Sequence, residues 1–150
     1  MEKVFTSKSQ EETISLGEQL AHLIPNGTTL LLTGDLGAGK TTLVRGIGKG
    51  LHIKDVIQSP TFNIMKIYLK ADKPLIHIDA YRLADIPNND IGLDEYIGYE
   101  TGITVIEWPN YIENLIPKNH VEVTIVNLGD DNRKLTFKGD NLSFLEGVSL

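Results

Sequence analysis

Apolar residues recur along this chain with two different periods. From Ser9 to Ile24 the spacing is helical: Leu16, Leu20, Leu23 and Ile24 fall on one face. Ser9 followed by Glu12 forms a capping box at the start, and Pro25-Asn26-Gly27 supplies turn residues at the end. Thr28 to Thr33 (TTLLLT) then reads as a strand with no polar alternation, as expected of a parallel strand covered on both faces. A glycine-rich loop follows, and a second helix is predicted from Thr41 to about Leu51. Beyond it the pattern is mostly of strands: Phe62 to Leu69, Leu75 to Asp79 and Gly102 to Ile106, with a turn at Ala71 to Pro74. Residues 85–100 read as a short acidic helix within loops, and Pro109 to Leu115 as another short helix with proline in its first turn. His120 to Leu128 and Lys134 to Lys138 flank Gly129-Asp130-Asp131-Asn132 and predict an antiparallel hairpin. The last residues predict a brief helix or a frayed end. The expected fold is therefore α/β, with a mixed, mostly parallel central sheet and a C-terminal antiparallel hairpin.

Length and composition narrow this picture. The chain has 150 residues, 41% hydrophobic and 23% charged, which predicts one domain over 1–150 with ordinary globular composition. No apolar run approaches the roughly 20 residues needed to span a bilayer, and the N-terminus lacks a signal-peptide pattern. A cytoplasmic protein with no membrane partner is expected. Cysteine is absent, which excludes disulfides, thiolate metal sites and cysteine nucleophiles. Net charge is −6, and residues 85–100 hold Asp85, Asp90, Asp94, Glu95 and Glu100 with no Lys or Arg. A protein that grips nucleic acid by itself carries a basic footprint; service to nucleic acid here would go through a partner.

The strongest chemical signal is Gly34-Asp35-Leu36-Gly37-Ala38-Gly39-Lys40-Thr41, which fits G-x-x-x-x-G-K-[ST] between a buried strand and a helix. A chance match in a chain of this length is on the order of one in a few hundred. Gly34, Gly37 and Gly39 permit backbone torsions that let successive N–H groups point inward. Those amides and the helix N-terminus form an anion site for phosphates. Lys40 would bring its ammonium to the terminal phosphates, Thr41 would offer a hydroxyl to Mg²⁺, and Thr42 would add a polar contact. A phosphate-bearing nucleotide and Mg²⁺ are the expected ligands.

A phosphate loop needs a carboxylate for Mg²⁺ and a group to orient water. Glu107 closes one apolar strand and Asp79 another, and ligands of open α/β sheets lie beyond the carboxyl ends of strands. Glu107 is favoured as the acid near Mg²⁺, with Asp79 a second metal-linked or water-orienting group; the two roles are interchangeable on the sequence. In Ser59-Pro60-Thr61-Phe62, Thr61 is either a switch-like residue sensing a γ-phosphate or part of a plain turn. His77 shares a strand face with Asp79, but two ligands without a third favour a packed, hydrogen-bonded histidine over a metal pair. Arg82 is either a phosphate or partner contact or a surface ion pair. Trp108, the single tryptophan, either lies near the nucleotide or fills the core.

Taken together, GDLGAGKTT, SPTF, HIDAYRL and the Ile-Glu-Trp-Pro of VIEWP resemble the bacterial TsaE (YjeE) family over about residues 5–127. The resemblance implies a small P-loop α/β domain that binds ATP and Mg²⁺ and hydrolyses ATP slowly alone. It implies action with TsaD and TsaB in forming threonylcarbamoyladenosine on tRNA, with tRNA contact indirect. By motif, Lys40, Thr41 and Thr42 would carry phosphate and Mg²⁺, Thr61 would be the switch residue, Asp79 and Glu107 the acidic pair, and Trp108 would lie close to the site. From about Leu128 onward no motif extends the resemblance.

Three other readings compete. A small-molecule kinase needs an arginine-bearing lid, and the chain's arginines are Arg45, Arg82 and Arg133. A GTPase switch needs an Asn-Lys-x-Asp motif, which is absent. A nucleotide-dependent scaffold without catalysis would not need both Lys40 and Glu107.

Overall fold

The computed structural model describes residues 1–35, 37–57, 64–81 and 93–150. Leu36, the Ser59–Phe62 turn with Thr61, and Arg82 lie outside the described residues, as do residues 85–92 of the acidic stretch.

The chain runs β1 (Glu2–Ser7), α1 (Gln10–Leu23), β2 (Thr29–Thr33), α2 (Lys40–Gly50), β3 (Met65–Tyr68), β4 (Leu75–Asp79), β5 (Ile103–Glu107), β6 (His120–Gly129) and β7 (Asn132–Lys138). Short 3-10 turns occupy Leu93–Glu95, Pro109–Leu115 and Ser143–Gly147. The strands form one sheet in the order β1-β7-β6-β2-β5-β4-β3. Its centre is parallel: β2 pairs with β5 and with β6, and β4 pairs with β5. The flanks are antiparallel: β3 on β4, β7 on β6 and β1 on β7. This is the expected α/β fold with a mixed sheet and a C-terminal hairpin.

Local rules account for most elements. The Ser9 hydroxyl accepts the Glu12 N–H at 3.1 Å, which caps α1 as its sequence predicts. Leu16, Leu20 and Ala21 of α1 are buried with Leu43, Val44 and Ile47 of α2 against Leu30, Leu32, Val105 and Phe137 of the sheet. Each large aliphatic side chain buried this way contributes about 1.5–3 kcal/mol. The two helices meet at glycines. A Cβ on Gly17 would lie 2.5 Å from the Leu43 carbonyl oxygen, and one on Gly46 would lie 2.4 Å from that of Ile14, so neither position has room for a side chain. On the opposite face, Leu31, Ile76, Ile78 and Ile106 pack with Leu93 and Ile112 from the short turns.

Two elements differ from expectation. The sequence pattern gives no strand before Ser9, yet β1 pairs with β7 from Arg133 to Lys138, with Phe5 opposite Leu135. Phe5 meets Phe137 edge-on, with ring centroids 5.7 Å apart. The hairpin is also tighter than the four-residue turn expected. Gly129 pairs with Asn132, leaving Asp130 and Asp131 as the turn, both at positive φ (49° and 66°). That is the twist a two-residue hairpin connection requires.

Candidate functional site

The parallel strands β2, β4, β5 and β6 all point their carboxyl ends to one edge of the sheet. There β2 ends at Thr33, the glycine loop turns back, and α2 starts at Lys40. Gly34, Gly37 and Gly39 have φ of 153°, 79° and 112°. At Gly34 a Cβ would lie 2.6 Å from the Ile125 carbonyl oxygen of β6, so conformation and space both demand glycine. The Ala38 N–H donates to the Asp35 carbonyl at 3.0 Å and closes the loop; Ala38 is buried, while Asp35 and Gly37 are exposed.

Lys40 is buried despite its charge. Its Nζ donates to the Gly34 carbonyl at 2.8 Å and stands 4.3 Å from the centroid of the Trp108 ring. Thr41 and Thr42 follow in the first turn of α2, both half-buried. Trp108 therefore stands at the mouth of the loop, half-buried, and belongs to neither core cluster. Its backbone is left-handed (φ 57°, ψ 52°), uncommon for a bulky residue. The turn takes the chain off β5 and sets the indole against Lys40 and against Tyr81, whose ring centroid is 5.1 Å away.

Asp79 and Glu107 are register partners at the ends of β4 and β5. In a parallel pair, partners face the same side, and here that side is the one covered by α1 and α2. Both acids are buried. Asp79 Oδ1 accepts the Tyr81 N–H at 3.0 Å. Glu107 Oε2 lies 2.7 Å from Nε2 of His77. The expected packed, hydrogen-bonded His77 is thus found, and its partner is the second candidate acid. Ile64, the first described residue after the Ser59–Phe62 segment, is also left-handed (φ 65°), and its carbonyl accepts the Asp79 N–H at 2.7 Å.

One contributor gave no signal in the sequence. Arg133, at the start of β7, donates from Nε to the Ala38 carbonyl at 2.8 Å and from an Nη to Asn127 Oδ1 at 2.9 Å. The hairpin tip is thereby bonded to the glycine loop. A cavity of about 190 Å³ opens between them, lined by Gln10, Thr13, Gly37, Gly39, Thr42, Asp131 and Arg133. The GDDN turn was readable as a turn, but nothing local tells that it reaches a loop 95 positions earlier.

The donor set suits a hard divalent cation. Two carboxylates and a threonine hydroxyl are oxygen ligands, as Mg²⁺ prefers. Among the described residues no group of three His, Cys, Asp or Glu forms a metal cage of its own. Mg²⁺ is usually held by one or two carboxylates together with phosphate oxygens and water, so the shortfall fits it.

Fold and loop together define an α/β domain of the phosphate-loop type. The comparisons name its kind. A family model described as "Threonylcarbamoyl adenosine biosynthesis protein TsaE" matches residues 7–135. The chain is 42% identical over 127 residues to the tRNA threonylcarbamoyladenosine biosynthesis protein TsaE of Bacillus subtilis, covering 85% of this chain and 79% of that one. It is 37% identical over 131 residues to the protein of the same name from Treponema pallidum, covering 87% and 96%. The crystal structure of Bacillus subtilis YdiB superposes with a TM-score of 0.80 at 32% identity, over 97% of this chain and 90% of that one. The chain belongs to the TsaE family, whose members serve tRNA threonylcarbamoyladenosine biosynthesis. The match runs past Leu128 to residue 135, beyond the motif-bearing stretch, and so takes in Arg133. Among the described residues no helix is long and apolar enough to cross a membrane.

Proposed function

We propose that the chain is a Mg²⁺-dependent, ATP-binding and ATP-hydrolysing subunit that works with TsaD and TsaB to form threonylcarbamoyladenosine on tRNA. The observation that carries this reading is the pairing of Asp79 with Glu107 at adjacent strand ends, beside the glycine loop that opens α2. The loop amides and the first turn of α2 hold the phosphates. Lys40 exchanges the Gly34 carbonyl and the Trp108 face for the terminal phosphate oxygens. Thr41, Glu107 and Asp79 hold the cation, Glu107 most directly, and Thr42 adds a phosphate contact. Mg²⁺, when bound, neutralises charge on the β- and γ-phosphate oxygens. Gln10, Asp131 and Arg133 line the space left for the nucleoside end. Thr61 senses the γ-phosphate, and its segment docks on the partner.

Residues 1–150 act as one domain in the cytoplasm. With a net charge of −6 the subunit meets tRNA indirectly. The test is ATP hydrolysis by the purified chain, alone and with TsaB and TsaD, with Glu107→Ala as control. Slow turnover alone, strong stimulation by the partners and loss in the variant are expected. Indifference to TsaB and TsaD would end the partner assignment and leave a nucleotide binder with another client.

A further inference from the structure

His77 lies below the two strand-end acids and has no role in the chemistry above. It sits two residues before Asp79 on β4, and neither its side chain nor that of Glu107 is open to water, at 0% and 5% exposure. Two of its neighbours on that face are apolar, Leu75 on its own strand and Val105 opposite on β5; the others are Lys66, opposite on β3 and exposed, and Asp79. A polar ring in such a place is costly unless bonded, and an aliphatic side chain would fill the space without that cost. Among the described residues the ring makes one hydrogen bond, Nε2 to Glu107 Oε2 at 2.7 Å, and the buried Nδ1 has no partner. This geometry fits the Nε2–H tautomer. That form donates to the carboxylate and leaves only an acceptor nitrogen unmet, whereas the reverse would orphan an N–H and face a lone pair with a carboxylate.

The Glu107 carboxylate has no second hydrogen bond among the described residues. The terminal torsion of a glutamate is broad and roughly two-fold, so His77 is what fixes its plane. We infer that His77 is a positioning residue: its N–H pins Oε2 of Glu107 so that Oε1 is turned toward the divalent cation. Outer-shell partners of metal-binding carboxylates act in this way, and losing one weakens metal binding about 10- to 100-fold. The inference rests on the reading of Glu107 as a cation ligand given above.

The test separates orientation from folding. His77→Gln keeps an N–H donor at about the reach of Nε2, while His77→Asn is equally polar but too short, and His77→Leu removes the donor at similar volume. Full-length protein is loaded with ADP, and Mn²⁺ affinity is measured by electron paramagnetic resonance, beside metal-free ADP affinity and melting temperature. The Asn and Leu variants should bind Mn²⁺ about tenfold or more weakly, the Gln variant within about threefold of wild type, and metal-free ADP affinity should stay unchanged in all three. If the Leu variant does not fold, the Gln and Asn pair decides. An Asn variant that binds Mn²⁺ like wild type, or a Gln variant as weak as Asn, overturns the inference. So does a melting-temperature loss common to all three with no split in Mn²⁺ affinity. A wild-type ADP complex that takes up no Mn²⁺ overturns the reading of the site, and this inference with it.

Discussion

The two halves of the sheet serve the cavity differently. On β2, β5 and β4 the pairing is parallel, the strands are buried on both faces, and the candidate reactive groups are confined to the strand ends. On β6, β7 and β1 the hairpin and edge pairings are antiparallel, and one face meets solvent, where Val4, Val126 and Leu128 are exposed. Parallel strands share a direction, so their carboxyl ends gather at one edge and bring Asp79, Glu107 and the glycine loop together. A hairpin reverses, so what it offers that edge is its tip, and the tip here supplies Arg133. The parallel half therefore carries the charged chemistry, and the antiparallel half holds the loop in shape and walls the cavity.

The sharpest test of this division is Lys40→Ala. Losing a buried charged partner costs about 3.5 kcal/mol, so ATP affinity should fall on the order of 300-fold by calorimetric titration. Wild-type affinity in that variant would remove the loop from the chemistry. Next comes Glu107→Ala, which should retain ATP binding while turnover drops about 100-fold, the usual loss for one preorganised electrostatic group. Turnover that survives in Glu107→Ala but fails in Asp79→Ala would move the main cation-holding role to β4.

Arg133→Ala probes the other half. It takes the Arg133 donor from the Ala38 carbonyl, while Asn127 Oδ1 keeps the Gly129 N–H. A hydrogen bond from a charged group contributes about 1.5 kcal/mol, so ATP affinity should fall about tenfold. The hydrolysis rate at saturating ATP should hardly change. A fall in that rate as large as for Glu107→Ala would erase the distinction between the halves. Unchanged affinity would reduce the hairpin tip to scaffold.

What the sequence reveals follows the same division. Strands buried on both faces show as unbroken apolar runs, so β2, β4 and β5 were readable, and Asp79 and Glu107 stood out as the acids closing them. The loop glycines were readable because their torsions exclude other residues. That His77 would be bonded was also readable; that it would be bonded to Glu107 was not, because register between β4 and β5 lies in no local pattern. Trp108 was undecided between core and site, since a left-handed turn after Glu107 has no glycine or asparagine to mark it. Arg133 was silent because its partner in the glycine loop is a backbone carbonyl, which leaves no trace in residue type.

The strand β1 marks the limit of that legibility and gives the smallest prediction. Its inward positions are Lys3, Phe5 and Ser7, of which only Phe5 is large and apolar, too little to signal a strand by alternation. Pairing with β7 and the ring of Phe137 make it one. The edge-to-face contact is worth about 1 kcal/mol beyond area. Phe5→Leu keeps most of the apolar surface and removes that contact, so the melting temperature should fall about 2–4 °C, as a loss of this size does in a chain of this length. ATP affinity and turnover should stay at wild-type values, because β1 reaches the cavity only through the start of α1, whose Ser9 cap is independent of the ring. A Phe5→Leu chain that melts as expected but binds ATP more weakly would show that the edge strand sets the position of Gln10 and Thr13, and the antiparallel half would then shape the site as well as brace it.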